Sequence, residues 1–374
     1  MIAKTTALLS LVAAAVLTAP TTASAQVAEH AETQAALNSY LAHAGPGASV
    51  YAGDATGSWS VQSGTATPGK NVAIKPDDHF RVASQTKIFT AAAVLKLVDD
   101  GAVQLDAPIE GYLPGVVTGN GYDGTLITVR QLLQHTSGIA ENQTAPNPQA
   151  GPDGIFSLAE LVRDGLSHTP VFPPGGGFQY SNTNYQILGL LIEAVTGQPA
   201  EEAIAARIFQ PLGLTGTSFP ANKSLPAPYL HGYEGGRIGP IYFWNDVSNW
   251  LDPNLLRTAG SAVSTQTDLA EFEQSLAAGE VVSPALLAEM RETVAIPGGA
   301  HAITGDGYGL GAFRLDLPCG GQAWGHAGDT KGYSSLTMAT DDGRYASLVT
   351  NTIVTSTNNP GRFTVVETAL CEGK

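Results

Sequence analysis

Apolar and polar positions along the chain fall into three regimes. From Val27 to Ala44 apolar residues recur at helical spacing and stop at Gly45, which predicts an amphipathic helix. Ala48 to Ala52 and Ser58 to Ser63 alternate with period two around a glycine-containing turn, and Phe80 to Ala83 reads as another short strand. Helical patterns then take over. Thr86 to Asp100 is apolar nearly all round and halts at Gly101, as a buried helix does. Val129 to Gln134, Leu158 to Ser167, Thr183 to Thr196, Glu201 to Phe209, Asp268 to Ala278 and Pro284 to Glu292 follow. Strand patterns return in Tyr308 to Leu315, Gln322 to Gly325, Tyr333 to Ala339 and Tyr345 to Asn351, before a last helix from Arg362 to Cys371.

Strands at both ends of the chain and helices between them predict an α+β fold. One antiparallel sheet, flanked by the terminal helices, is made from residues 26–80 and 300–374. A mostly helical lobe, 81–299, is inserted, and a single catalytic domain spans 26–374. A ligand site belongs in the crevice between the lobes.

Residues 1–25 stand apart from this pattern. Lys4 precedes an apolar run from Leu8 to Ala19 and the small-residue string Ala23-Ser24-Ala25. This is the layout of an export signal cleaved after Ala25, and the run is short of the roughly 20 residues a membrane span needs. A secreted or periplasmic location without a stable membrane anchor is expected. In such an oxidising compartment the only two cysteines, Cys319 and Cys371, are expected to form one structural disulfide.

The 374 residues are 43% apolar and 14% charged, enough for a large core in an enzyme-sized globular protein, which is expected to be monomeric. The formal net charge of −15 repels phosphate backbones and argues against a nucleic-acid partner.

Three short stretches carry candidate chemistry. Ser84-Gln85-Thr86-Lys87 sits where a strand ends and a buried helix begins, and a three-residue step along a helix brings Lys87 back beneath Ser84. A serine hydroxyl needs a base, and a lysine serves as one only when burial or a nearby cation lowers its pKa. Tyr180-Ser181-Asn182 precedes a helix; a tyrosine there can shuttle a proton and an asparagine can hold an amide. Taken alone, the same stretch reads equally as an N-cap. His326-Ala327-Gly328-Asp329 places small residues on a strand, leaving room for a substrate along its edge and a backbone N–H to join that of Ser84 in an oxyanion hole. His135, before Thr136-Ser137-Gly138, reads as structural, and Tyr242, Phe243, Trp244 and Trp250 as packed rings. The sequence contains no G-x-S-x-G elbow and no H-E-x-x-H, and the Gly307-Tyr308-Gly309-Leu310-Gly311 run lacks a following helix, which disfavours dinucleotide binding.

In this order and spacing the three stretches resemble the serine penicillin-recognising enzymes, with Y-S-N and H-A-G in the manner of the class C β-lactamase branch and most similar to secreted D-alanyl-D-alanine carboxypeptidases. The resemblance implies a β-lactamase/transpeptidase-like fold and an acyl-enzyme on Ser84. It implies that Lys87 and Tyr180 share the proton transfers, with the base left open between them. Asn182 would bind the acyl-side amide of the substrate, and His326 would fix the Tyr180 hydroxyl. Gly328 would line the substrate strand, and the Asp329 N–H would complete the oxyanion hole. No metal or organic cofactor is implied. The partners implied are small peptide, amide or ester substrates, with β-lactams as acylating ligands.

The chain departs from the carboxypeptidase pattern where H-T-G-T becomes His326-Ala327-Gly328-Asp329, and where an arginine is replaced by Phe313. Groups that would hold a terminal carboxylate are gone. Lys331 stands nearby as a substitute, or as a partner for Asp329. The expected activity is D,D-carboxypeptidase-like hydrolysis of D-amino-acid peptides of the cell wall or related D-amino-acid amides. An esterase or β-lactamase of the same branch is the alternative, and a non-turnover penicillin-binding module a further one.

Overall fold

The computed structural model describes residues 29–42, 45–141, 156–238, 241–298, 305–354 and 361–374. The proposed export signal, residues 1–25, lies outside the described residues. Among the described residues no helix is long and apolar enough to cross a membrane.

Seven antiparallel strands form the main sheet: β1 (Gly47–Asp54), β2 (Gly57–Gly64), β3 (Gly307–Tyr308), β4 (Phe313–Asp316), β5 (Gln322–Thr330), β6 (Tyr333–Thr340) and β7 (Tyr345–Thr350), in the order β2-β1-β7-β6-β5-β4-β3. The two ends of the chain meet where β1 pairs with β7, Ala48 opposite Thr350 and Val50 opposite Leu348. Every residue of β6 and β7 is buried. These strands read as uninterrupted rather than alternating because both faces are covered.

The helices are α1 (Ala31–Leu41), α2 (Thr86–Asp99), α3 (Val129–Leu133), α4 (Leu158–Gly165), α5 (Asn182–Thr196), α6 (Ala200–Ile204), α7 (Gln266–Ala277), α8 (Pro284–Met290) and α9 (Arg362–Cys371). Leu37 and Tyr40 of α1 and Phe363, Val366 and Leu370 of α9 pack on one face of the sheet against Val50, Leu336 and Leu348. Cys319 and Cys371 form the disulfide that ties α9 to the turn between β4 and β5. On the other face α7 meets β6 and β7, and the sheet's polar groups receive the helical lobe: Gln85 donates to Ser335 Oγ at 2.7 Å and Gln266 to the Ser347 backbone carbonyl at 2.6 Å. The helical lobe has its own core around α2, where Ile88, Phe89, Ala92 and Leu95 are fully buried.

Several expected elements differ. The strand expected from Phe80 to Ala83 lasts only through Arg81, because Ala83 turns to φ +48° and opens a short 3₁₀ turn, Ala83–Gln85. The stretch from Tyr308 to Leu315 is two strands, folded back at Gly311, where φ is +92°. A Cβ there would overlap Ala91 Cβ and stand 2.9 Å from the Tyr185 hydroxyl, so only glycine fits the bend. β5 runs on past Gly325 to Thr330, held by continuous pairing with β6. The hairpin of Tyr233–Ile238 and Ile241–Asp246 was not anticipated, and within this region Phe243 and Trp250 are exposed rather than packed.

Candidate active site

Ser84 stands at the start of α2, half-buried, on a turn whose preceding residue is held in the left-handed region. Such a conformation is costly for a residue with a Cβ and persists only where the surroundings enforce it. Here Thr86 does so from both sides: its hydroxyl donates to the Ala83 carbonyl at 2.7 Å and accepts the Ala262 N–H at 3.0 Å.

Lys87 is fully buried one turn on, with Nζ 3.2 Å from Ser84 Oγ. Its other two neighbours are acceptors, Asn182 Oδ1 at 2.6 Å and the Ala259 carbonyl at 2.8 Å. Burial pulls its pKa down to about 7, while the Glu141 carboxylate pulls the other way. A neutral amine has two N–H bonds and one lone pair. With both N–H bonds committed to Asn182 and Ala259, the lone pair is left for the Ser84 proton.

Asn182 opens α5, and its amide bridges the site. The Glu141 carboxylate accepts from Asn182 Nδ2 at 2.7 Å and from the Asn182 backbone N–H at 2.7 Å. Burial raises the Glu141 pKa against those hydrogen bonds. Glu141 was not singled out from the sequence. Its signal was a lone carboxylate after the apolar pair Ile139-Ala140, closing the loop that begins at His135.

Tyr180 is half-buried, its hydroxyl near enough to Ser84 for that side chain to act on its pKa, and its ring lies 4.7 Å from Lys87 Nζ. Burial holds its phenol well above the ordinary range, so it stays protonated at neutral pH. His135 is buried beneath it, rings 4.3 Å apart, and its Nδ1 accepts the Ser181 N–H at 3.2 Å.

His326 lies on β5 facing this cluster. It does not hold the Tyr180 hydroxyl, as had been expected. Its Nδ1 donates to the Ala327 carbonyl at 2.6 Å, and its Nε2 lies 3.1 Å from the hydroxyl of Tyr308, a residue brought in by the fold-back at Gly311. Burial lowers the His326 pKa to about 3, so the ring is neutral.

Gly328 presses against the turn that carries Ser84. A Cβ on it would overlap the Val82 carbonyl oxygen and stand 3.3 Å from Ser84 N. β4 pairs with β5 only from Gln322 to Gly325, so the following segment leaves that edge to the cleft. The Asp329 carboxylate accepts from Ser334 Oγ at 2.6 Å and from Arg362 Nη1 at 2.6 Å. Lys331 is therefore not its partner; it pairs with Glu234 at 2.7 Å and lies over Trp250. Among the described residues no group of acidic, histidine and cysteine side chains has the makings of a metal site.

A serine, a buried amine with lowered pKa and a protonated phenol thus converge at a helix start, facing a strand edge. A family profile described as Beta-lactamase matches residues 25–368. The chain belongs to the beta-lactamase family. As a member of this family it is a serine hydrolase of β-lactamase/transpeptidase-like fold. It is 36% identical to a D-stereospecific amidohydrolase from Streptomyces sp., with a TM-score of 0.79 over 91% of this chain and 98% of that one. It is 27% identical to the D-amino acid amidase of Ochrobactrum anthropi SV3, solved with L-phenylalanine amide, with a TM-score of 0.74 over 86% and 90% of the two chains. Among curated proteins it is 29% identical to penicillin-binding protein 4 of Amycolatopsis lactamdurans, over 78% of this chain and 77% of that one. It is also 31% identical to protein flp of Staphylococcus aureus (strain MRSA252), spanning 50% of this chain and only 37% of flp.

Proposed function

We propose that this beta-lactamase-family hydrolase cleaves small amides of D-amino acids whose α-ammonium is free, through an acyl-enzyme on Ser84. The observation that carries this reading is Glu141. Its carboxylate sits beside Asn182, on the acyl side of the cleft, and the cation that acts on it, Lys87, donates to Asn182 Oδ1 and the Ala259 carbonyl rather than to the carboxylate. A carboxylate so placed suits a cationic acyl group. The D-configuration is supported by the two amidases that this chain resembles over most of its length. The narrower D-alanyl-D-alanine carboxypeptidase activity finds less support, since that substrate ends in a carboxylate.

In the proposed cycle the neutral Lys87 amine takes the Ser84 proton as Oγ bonds to the amide carbon. The tetrahedral oxyanion sits between the backbone N–H groups of Ser84 and Asp329. The Tyr180 phenol, in contact with Ser84, passes a proton to the leaving nitrogen as the C–N bond breaks, and is reprotonated through Lys87. Water then repeats the sequence on the ester and frees the acid. Residues 1–25 are proposed as a cleaved export signal.

The test is a turnover panel: D-phenylalanine amide, its N-acetyl derivative, L-phenylalanine amide, a D-Ala-D-Ala peptide, an aryl ester and a cephalosporin. The proposal expects preference for the free-amine D-amide, and loss of that preference in Glu141→Gln. Turnover of the aryl ester or cephalosporin with no amide cleavage would overturn it.

A further inference from the structure

Gly328 stands against the Ser84 turn, and the next residue, Asp329, holds a cation that is thereby already paired. Ala327 and Asp329 share one face of β5, since alternate strand residues point the same way. That face looks toward α9, whose first residue, Arg362, places Nη1 2.6 Å from Asp329 Oδ2. The other carboxylate oxygen is held by Ser334 Oγ at 2.6 Å. Phe313 closes the side, its ring 4.9 Å from His326 and 5.8 Å from Phe363. The guanidinium is felt in the catalytic cluster, since its charge acts on both His326 and Tyr180. The other cations of this region are directed elsewhere: Lys331 to Glu234, and Arg314 to Asp316 and to Thr293 Oγ1.

We propose that Asp329 is a built-in counter-ion for Arg362, standing where the carboxylate of a leaving group would otherwise bind. It makes the enzyme selective for neutral leaving groups: ammonia from a primary amide, an amine from an N-alkyl amide, or an alcohol from an ester. A leaving group ending in a carboxylate meets the Asp329 charge and finds the guanidinium taken. Removing the Asp329 charge exposes Arg362 and creates an anion site at the leaving-group position. The substitution of Asp329 is thus a specificity determinant of the reaction, acting through charge and not through the reacting atoms. This inference rests on the acyl-enzyme reading above and extends it to the other side of the scissile bond.

The experiment uses two substrates with one acyl group, D-phenylalanyl-D-alanine and D-phenylalanyl-D-alanine amide. The ratio of their kcat/KM values is measured in the wild type, Asp329→Ala, the near-isosteric Asp329→Asn and the double variant Asp329→Asn/Arg362→Gln. Both single variants should raise the acid-to-amide ratio by about tenfold or more, the worth of one charge-assisted hydrogen bond. The double variant should return it to the wild-type value. Independently of turnover, N-acetyl-D-alanine should raise the Tm of Asp329→Asn, but not that of the wild type or the double variant. An unchanged ratio and an unchanged Tm in Asp329→Asn would overturn the inference. So would a gain that survives loss of Arg362. A wild type that cleaves neither substrate nor any simple amide instead sinks the proposed amidase function, while the Tm comparison still decides the role of Asp329.

Discussion

Glu141 is joined twice to Asn182, through the backbone N–H and through the side-chain amide, each at 2.7 Å. The oxygen of that side-chain amide, Asn182 Oδ1, accepts from Lys87 at 2.6 Å. One carboxylate therefore sets the position and the charge balance of the amine beside Ser84.

Glu141→Gln should move the acidic limb of the kcat/KM profile to lower pH. Glu141 is the group that holds the Lys87 pKa up, against burial, which lowers it to about 7. Without the carboxylate the amine loses its proton more easily, and the active neutral form persists further into acid. The limb belongs to the interacting pair, not to Lys87 alone. The readout is a pH profile with an aryl ester, which needs no ammonium contact; a limb that stays put or moves up would refute the assignment.

Ser84→Ala should lose turnover by about a thousandfold or more and leave no adduct after incubation with a β-lactam, as read by intact-protein mass spectrometry. Lys87→Ala should still form the adduct, with acylation slowed by roughly 10²–10⁴-fold. A normal acylation rate in Lys87→Ala would transfer the role of base to another group.

Gly328→Ala should cost activity well beyond any loss of stability. The new Cβ meets the Val82 carbonyl, a backbone atom that cannot rotate away, so β5 and the nucleophile's turn must separate. A shift of that kind misplaces the oxyanion donors, and about 100-fold or more in kcat is expected. Circular dichroism and Tm distinguish this from unfolding.

Replacing Cys319 and Cys371 by serine should leave the active-site chemistry in place and lower stability. The disulfide links residues 52 apart in sequence, and losing such a closure costs about 2–4 kcal/mol. Chemical denaturation measures it; an unchanged midpoint would show that α9 is held by its apolar face alone.

Much of the site is legible in the sequence where it is built from near neighbours. Ser84 and Lys87 meet because a helix returns every three to four residues, and the apolar surroundings that lower the lysine pKa are written into the same helix. The strands at the two ends of the chain likewise announce a shared sheet. The partners that lie far apart are not legible. Glu141 is 41 residues from Asn182, and Arg362 is 33 from Asp329. The Ala259 carbonyl is a backbone group that carries no side-chain signal at all. β5 extends beyond what the pattern predicts because Gly325 and Gly328 are poor strand formers taken singly, and only pairing with β6 carries the strand through them.

By itself the amino-acid sequence determined the α+β plan and pointed to Ser84, Lys87 and Tyr180 as candidates, because each depends on local periodicity and on residue chemistry. The tertiary structure decided which polar and charged groups face one another: Glu141 toward the Asn182 amide, Arg362 toward Asp329, Lys331 away toward Glu234. Charge pairing is settled by distance in space, and a chain folded into a sheet and two layers of helices brings together residues whose separation along the sequence carries no trace of that proximity.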